Sequence, residues 1–293
     1  MTSLAMQYLK SMAMPVLNLA TRRYVAGERV ADAVDLAARA HYDGLGCTLC
    51  YWNDGTEDPQ SVSSQYMSIV SAIGQHGLDG TLALKIPALW DREDEVARVV
   101  EAARQAGTHV MFDAHAADQS DVTLTYLERL GGQGLGLAIP GRWRRSLRDA
   151  DRAIEAGAAI RVVKGQWPDP DAPGMDLREG YLTVIRHLAG RARFVSVATH
   201  DAPLAAQAME ILADAGTPFE QEFVFPLPIA AARREGARFG AAARLYIPYG
   251  EAWLPYSLKR ALRNPRTFYW IARDMLGGDK LDLPPLPAST LGR

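Results

Sequence analysis

Charged and hydroxylated side chains stand at the ends of many apolar runs in this sequence. In parallel α/β folds the carboxyl ends of the strands build the active site, so residues in these positions are candidates for chemistry. A buried charge is costly unless it is paired, and an ordinary buried ion pair therefore stays an open explanation for each residue alone. Because so many runs contribute, the set as a whole indicates an active site. Its members are Lys85, Asp113, His115, Arg161, Lys164, Thr199, His200, Asp201, Glu222, Tyr246 and Tyr249.

A second group lies near the carboxyl end of the chain. Tyr256, Lys259 and Arg260 are spaced i, i+3 and i+4, so a helix would place them on one face. Two cations beside a phenol could bind a small carboxylate whose apolar ring is shielded from water by the tyrosine. A solvated helix face carries the same residue types. From spacing alone, both interpretations stay open.

Eight apolar, β-rich runs alternate with segments of helical periodicity from about residue 30 onward. We interpret the runs as strands at 46–52, 81–87, 109–114, 135–140, 160–165, 193–199, 219–225 and 244–250. Eight such units in 293 residues favour an α/β fold, the closed (β/α)8 TIM-type barrel, over an open doubly wound sheet. We predict a helical arm over residues 1–25, the barrel over 26–280 and a Pro-rich tail over 281–293. The helix that carries Tyr256 would follow the last strand.

Composition argues against several classes of function. The formal net charge is −2 and there is no long run of Lys or Arg, so we expect no nucleic-acid partner. No apolar stretch is long enough to predict a membrane-spanning helix, and no secretory leader is recognisable. We therefore expect a cytoplasmic protein, with peripheral attachment to a membrane left open. Cys47 and Cys50 lie in a predicted strand, which indicates buried, reduced thiols.

Several ordered motifs resemble the proline dehydrogenase family, whose members are flavin-dependent (β/α)8 barrels that oxidise proline to pyrroline-5-carboxylate. The second and third strands of the family are matched by LALKIPAL and FDAHAADQSDVTLTYLERL. Its R-x-V-K-G-A-Y-W strand is matched by IRVVKGQW, and its A-T-H-N segment by FVSVATHDAP. Its R-x-Y-x-P-Y-G…Y-x-x-R-R block is matched by RLYIPYGEAWLPYSLKRALRNP. The resemblance covers most of the chain and includes the proline dehydrogenase domain of bifunctional proline utilisation proteins.

The resemblance implies a role for each candidate residue. Asp113 and Arg161 would be the catalytic residues, with Arg161 near flavin N5. The substrate would contact Lys85, Tyr246, Tyr256, Lys259 and Arg260. FAD would be bound by Ala114, Arg161, Lys164, Gly165, Gln166, Thr199 and His200.

The sequence departs from the family pattern at several positions, which predicts a divergent member. Lys259 stands for one of two paired arginines, which keeps the charge but loses a planar fork. Pro140 takes the place of a glutamine on the fourth strand and cannot donate a side-chain hydrogen bond. Trp167 replaces a tyrosine, His115 an acidic residue and Asp201 an asparagine. The substrate could therefore be proline, a substituted proline or another amino acid.

These observations predict an FAD-dependent amino-acid dehydrogenase that oxidises proline or a proline-like amino acid to the cyclic imine. A hydride would pass to FAD N5, a quinone is the expected electron acceptor, and no metal is expected. Three alternatives stay open. The first is a metal-dependent barrel hydrolase or isomerase. The second is an enzyme in which Lys85 or Lys164 forms a Schiff base with the substrate. The third is a non-catalytic flavin-binding relative. The candidate metal ligands are Asp113, His115, His200, Asp201 and Glu222.

Overall fold

Eight parallel strands close into a barrel in the computed structural model, which describes residues 25–53, 55–90, 92–250, 281 and 283–285. Each strand pairs with its neighbours in sequence, and the last strand returns to pair with the first. The strands are β1 (Gly46–Tyr51), β2 (Gly80–Leu84), β3 (His109–Phe112), β4 (Leu135–Pro140), β5 (Ala159–Val163), β6 (Val195–Ala198), β7 (Phe219–Val224) and β8 (Ala242–Tyr249). Every predicted strand overlaps an observed one. The predicted (β/α)8 barrel is therefore confirmed.

Eight α-helices surround the strands within the described residues, one before each strand. They are α1 (Val30–Tyr42), α2 (Pro59–Gln75), α3 (Glu93–Gln105), α4 (Ser120–Leu130), α5 (Ser146–Glu155), α6 (Leu177–Leu188), α7 (Ala202–Asp214) and α8 (Ala230–Arg238). Three of them begin at an aspartate whose carboxylate accepts backbone N–H groups of the first turn: Asp58, Asp176 and Asp201. None of these helices combines the length and the apolar character needed to cross a membrane.

The apolar core lies between the strands and the helices. Successive side chains of a strand point to opposite faces. On β5, Ile160 and Val162 therefore pack in this core with no solvent exposure, while Arg161 points into the barrel. Leu82 and Leu84 on β2 also belong to the core. Because the helices cover the outer face of every strand, the polar residues that alternate with these positions lie inside the barrel.

An ion-pair cluster lies at the amino ends of the strands, with Asp79 at its exposed edge, and we call it the lower cluster (Asp79, Ser196, Glu220 and Arg244). Arg244 donates from Nε to both oxygens of Glu220 at 3.1 Å, and its Nη2 lies 3.0 Å from Asp79 Oδ1. Ser196 Oγ donates to Glu220 Oε1 at 2.6 Å. This end of a (β/α)8 barrel serves stability rather than catalysis. The Glu220–Arg244 pair is therefore a structural ion pair, the ordinary explanation that the sequence analysis kept open for each charged residue taken alone.

Three predicted segments fall wholly or largely outside the described residues. They are the arm over 1–25, the helix that carries Tyr256, Lys259 and Arg260, and the tail over 281–293. The division of the chain into arm, barrel and tail therefore stays a prediction.

Candidate active site

A cavity of about 410 Å³ opens at the carboxyl ends of the strands. Its volume lies in the range of small-molecule and cofactor sites. The wall combines aromatic and aliphatic side chains, such as Trp52, Trp143 and Leu227, with a few polar groups. Many of the residues named from the sequence line it together: Asp113, Ala114, Arg161, Gly165, Gln166, Thr199, His200 and Tyr246.

Arg161 borders this cavity and is held from two sides, within what we call the upper cluster (Thr48, Asp113, Arg161, Glu222 and Tyr246). Its Nε and Nη2 donate to the two oxygens of Glu222 at 2.5 and 2.9 Å, and Nη1 donates to Asp113 Oδ1 at 2.7 Å. Arg161 and Glu222 are both almost fully buried. Burial alone would lower the pKa of Arg161, but the charges of Glu222 and Asp113 outweigh it and raise the pKa. The guanidinium is therefore permanently charged.

Thr48 and Tyr246 complete the hydrogen bonds of the upper cluster. Thr48 Oγ1 donates to Glu222 Oε1 at 2.6 Å, and Tyr246 OH donates to Asp113 Oδ2 at 2.7 Å. Cζ of Arg161 lies 5.3 Å from the centroid of the Tyr246 ring, a cation–π distance. Burial, and next the charge of Asp113, raises the pKa of Tyr246 well above its ordinary value. Its hydroxyl is therefore a donor at neutral pH.

His115 also lines the cavity, two residues after Asp113. Its Nε2 is buried and finds no hydrogen-bond partner in the described part of the chain. Burial, together with the nearby charge of Lys85, lowers the pKa of His115 to about 4, so the ring is neutral at pH 7. A buried polar atom without a partner costs about 1–3 kcal/mol. Nε2 is therefore a candidate contact for a bound ligand.

Lys85 follows β2 and stands beside the cavity. Its Nζ donates to the carbonyl oxygen of Tyr51 at 3.1 Å and lies 5.3 Å from the centroid of the Trp52 ring. Trp52 forms part of the cavity wall. Because an ammonium group has three donors, Lys85 retains N–H groups for an anion bound next to the wall.

The rim between β5 and β6 carries two cations that share one carboxylate. Lys164 Nζ lies 3.0 Å from Asp201 Oδ2, and Arg178 Nη1 pairs with the same oxygen. Asp201 Oδ1 also caps α7 by accepting from the N–H of Leu204 at 3.2 Å. A single aspartate thus fixes both the start of α7 and the two rim cations.

The loop after β5 packs directly on the end of β4. Gly165 has a φ of +91°, a conformation that favours glycine. A Cβ on Gly165 would also lie 2.7 Å from Cβ of Pro140. Trp143 Nε1 donates to the carbonyl oxygen of Trp167 at 2.9 Å and ties the two loops together. Pro140 therefore forms cavity wall where the family resemblance expects a glutamine side chain.

His200 has both ring nitrogens engaged with backbone groups at the end of β7 and in the loop after it. Nε2 accepts from the N–H of Val224 at 2.9 Å, and Nδ1 lies 3.0 Å from the carbonyl oxygen of Pro228. This pattern assigns the neutral tautomer with the proton on Nδ1. The neighbouring Thr199 accepts from the N–H of Asp201 at 3.2 Å. Both residues shape the wall, and their contact with a cofactor stays a prediction.

The structure corrects the interpretation of Tyr249 as a residue of the barrel mouth. Tyr249 is fully buried on the outer side of β8, where its OH lies 3.4 Å from Gln65 Oε1 on α2. Tyr246 and Tyr249 are three residues apart, so the alternation of a strand sends them to opposite faces. Only Tyr246 of the two lines the cavity.

Four of the five residues considered as metal ligands are engaged in other interactions, and His115 is the exception. Asp113 and Glu222 share Arg161, Asp201 binds the two rim cations, and His200 binds backbone. Among residues 25–53, 55–90 and 92–250, no three His, Cys, Asp or Glu side chains are grouped to hold a metal ion. The geometry therefore gives the metal-dependent alternative no support.

Both cysteines are reduced and buried, as the sequence predicts. Burial raises the pKa of Cys47 to about 12 and that of Cys50 to about 11. Cys50 Sγ lies 3.7 Å from Asp113 Oδ2, at the edge of the upper cluster.

Sequence reasoning missed Thr48, Trp52 and Arg178. Thr48 lies inside an apolar strand, where the only signal is a hydroxyl among apolar side chains. Trp52 directly follows β1, so its place at a strand end could have marked it. Arg178 lies in the first turn of α6, and its partner Asp201 is 23 residues away. Such a pairing follows only from the packing of α6 beside α7.

No protein-family model matches the sequence. Comparison with individual proteins is more informative. The chain is 26% identical over 278 residues to proline dehydrogenase 1 of Bacillus subtilis subsp. natto, which covers 88% of this chain and 91% of that protein. It is 22% identical over 284 residues to the proline dehydrogenase of Deinococcus radiodurans, with 89% of this chain and 91% of that protein covered.

Solved structures share the barrel. Proline utilization A from Bdellovibrio bacteriovorus, inactivated by N-propargylglycine, matches with a TM-score of 0.69 at 18% identity, over 84% of this chain and 32% of that chain. Proline utilization A from Corynebacterium freiburgense matches with a TM-score of 0.68 at 15% identity, over 96% of this chain and 36% of that chain. This chain thus spans only 32% to 36% of those larger proteins. The resemblance that the motifs indicate is confirmed, because the chain is similar over most of its length to proteins named proline dehydrogenase.

Proposed function

We propose that the protein is a flavin-dependent dehydrogenase that oxidises proline or a close relative to the cyclic imine. The observation that carries the proposal is the upper cluster, a buried guanidinium held by carboxylates beside a cofactor-sized cavity. The barrel around it is homologous to proline dehydrogenases. In cofactor enzymes of this kind, the protein orients the substrate and sets the electrostatics around the reactive ring.

The cavity suits a flavin in its walls and in its donors. Trp52, Pro140 and Val163 offer flat or apolar surface against which a ring system can pack. Three of the five N–H groups of Arg161 bind carboxylates, so the guanidinium retains donors for a ligand. Lys164 and Arg178 at the rim suit phosphate groups. We therefore propose FAD, in contact with Ala114, Arg161, Lys164, Gly165, Gln166, Thr199 and His200.

A bound flavin supplies the acceptor for the hydride that leaves the carbon beside the substrate nitrogen. The protein's own part is to clamp the carboxylate so that this carbon faces the cofactor. Lys85 is a cation beside the described cavity, and Tyr246 offers its ring as a wall. Tyr256, Lys259 and Arg260 are proposed to complete the clamp from a segment that lies outside the described residues.

Arg161 and Asp113 divide the electrostatic work of the site. The fixed charge of Arg161 favours the electron density that a cofactor gains on reduction. Asp113 accepts from Arg161 at one carboxylate oxygen and from Tyr246 at the other, so it fixes both groups relative to each other. We therefore propose that Asp113 orients Arg161 and Tyr246 and does not remove a proton from the substrate.

For reoxidation we propose a quinone, the acceptor that the family resemblance implies. A quinone dissolved in a bilayer would bring a cytoplasmic protein to the membrane surface as a peripheral partner. Reoxidation of the substrate-reduced protein by a soluble quinone analogue would support this part of the proposal. Reoxidation by dioxygen alone would contradict it.

The function is tested by anaerobic titration of the purified protein reconstituted with FAD. We expect a yellow protein whose flavin absorbance is bleached by L-proline or a substituted proline, with glycine as a control that has no ring. A protein that binds no flavin would contradict the proposal. A protein that binds flavin but is bleached by none of a panel of cyclic and acyclic amino acids would instead be a non-catalytic relative.

A further inference from the structure

The barrel contains the same ion-pair pattern twice, once toward each end of its strands. In the upper cluster a hydroxyl, a glutamate, an arginine and an aspartate are linked as Thr48, Glu222, Arg161 and Asp113. In the lower cluster the same residue types are linked as Ser196, Glu220, Arg244 and Asp79. Both glutamates belong to β7 and lie two residues apart on its inner face, a rise of about 7 Å.

The two clusters differ in what they face. The upper cluster borders the cavity at the carboxyl ends of the strands, and both Arg161 and Glu222 line that cavity. The lower cluster lies toward the opposite end, where Glu220 and Arg244 line a separate cavity of about 270 Å³. A cofactor in the upper cavity would therefore sense Glu222 much more strongly than Glu220, because Coulomb energy falls with distance.

The charge of Arg161 is opposed by two carboxylates rather than one. Asp113 binds Nη1, and Glu222 binds Nε and Nη2. Asp113 already pairs with the guanidinium and accepts from Tyr246, so Glu222 adds a second full negative charge to the upper cluster. A negative charge beside a redox ring opposes the electron density gained on reduction.

We propose that Glu222 is a positioning residue that fixes the Arg161 guanidinium and lowers the reduction potential of the bound flavin. This inference rests on the proposed function. A lower potential makes substrate oxidation less favourable but makes the reduced protein a stronger donor to its acceptor. Glu222 would thus shift the balance of the two half-reactions without touching the substrate.

The test compares Glu222→Gln with Glu220→Gln in the flavin-loaded protein at pH 8, by titration against a reference dye of known potential. For Glu222→Gln we expect the equilibrium constant of flavin reduction to rise about tenfold, which is about 30 mV for a two-electron couple. Glu220→Gln removes a glutamate from the other ion pair on the same strand, which is slightly less buried, and serves as the control. We expect its potential to shift clearly less.

A second variant changes Thr48, the other hydrogen-bond donor to Glu222 besides Arg161. Thr48→Val keeps the shape of the side chain and both charges but removes the hydroxyl that donates to Glu222. The less shielded carboxylate should lower the potential, and this result remains accessible if Glu222→Gln does not fold. A rise in Thr48→Val would overturn the inference. So would an unchanged potential in flavin-loaded Glu222→Gln, or equal shifts in the Glu222 and Glu220 variants. Failure of the wild-type protein to bind flavin would instead reject the proposed function.

Discussion

At the scale of single residues, the fixed charge of Arg161 depends on carboxylates from two other parts of the barrel wall. A buried ion pair stabilises a fold only modestly, because desolvation offsets the attraction between its charges. Removal of one partner is different, since it leaves a buried charge uncompensated. Without Arg161, the carboxylates of Asp113 and Glu222 would face the same space with no cation between them. The guanidinium therefore matters for stability as well as for the proposed chemistry.

Arg161→Met should lower the free energy of unfolding by about 3–5 kcal/mol, the usual cost of breaking a buried pair. Urea unfolding at pH 7.5 measures the change. Arg186→Met is the control, because Arg186 pairs with Glu179 at 2.8 Å with both side chains exposed. Its loss should be about 0–1 kcal/mol. If the two variants lost similar amounts of unfolding free energy, removal of Arg161 would not leave Asp113 and Glu222 as costly uncompensated charges.

Residue types were more predictable than residue partners. Asp113, Arg161 and Tyr246 could be named from their places at strand ends, and the structure brings them together. Glu222 could be named only as a polar strand residue and a possible metal ligand. Its role as the bidentate partner of Arg161 depends on the relative stagger of β5 and β7, which are not adjacent in the barrel. No local sequence pattern encodes that stagger.

At the scale of elements, the rim is built by two segments that meet at Asp201. The loop after β5 supplies Lys164, the first turn of α6 supplies Arg178, and Asp201 begins α7. Asp201 offsets part of the positive charge of the two cations that we propose for FAD phosphates. The family resemblance expects an asparagine at this position, which would cap the helix but leave the cations unpaired.

Asp201→Asn should therefore tighten the binding of FAD about tenfold, equivalent to about 1.4 kcal/mol. Asparagine retains the N-cap, so the free energy of unfolding should change by less than about 1 kcal/mol. Fluorescence titration of the apoprotein with FAD measures the affinity. Asp176→Asn alters the equivalent cap of α6 and should leave FAD affinity unchanged. Weaker FAD binding by Asp201→Asn would show that the carboxylate orders the rim instead of competing with the cofactor.

Strands were predicted well because each apolar run is bounded by Gly, Pro, Asp or another polar residue, and burial on both faces keeps the run continuous. Side-chain direction near a strand end was harder. Tyr249 was assigned to the mouth because it ends a strand. It lies two and four residues after Ile247 and Leu245, so it shares their outward-facing side of β8 and packs against α2. The helix of Tyr256 lies outside the described residues, so the carboxylate clamp stays a prediction.

At the scale of the whole molecule, the barrel separates an apolar outer layer from a polar interior. The count and alternation of predicted units were enough to favour a closed barrel, and the pairing of β1 with β8 confirms closure. The polar interior could not be anticipated to the same degree, because the lower cluster uses charges where such barrels commonly have aliphatic layers. An interior of this kind makes stability depend on pH.

His115 gives that dependence a definite sign. Its pKa in the folded protein is about 4, whereas an exposed histidine titrates near 6.5. Between these values the unfolded chain binds a proton that the folded protein does not, so stability is lost as the pH falls. The wild-type protein should therefore lose about 2 kcal/mol between pH 7.5 and pH 5 through this residue.

His115→Gln should remove this loss, as measured by urea unfolding of wild type and variant at pH 7.5 and pH 5. The exposed His76 provides the control, and His76→Gln should follow the wild-type pH dependence. If His115→Gln were destabilised by acid as strongly as the wild type, the imidazole would not be held neutral in the cavity wall.

The two buried thiols lie where the barrel closes on itself. Cys47 and Cys50 are the only cysteines of the chain, and both belong to β1, which is bonded to β8 on one side and to β2 on the other. A thiol reagent can reach them only when the barrel opens locally around β1, since neither is exposed in the closed barrel. The labelling rate of the unmodified protein would therefore report how often the barrel opens around its first strand.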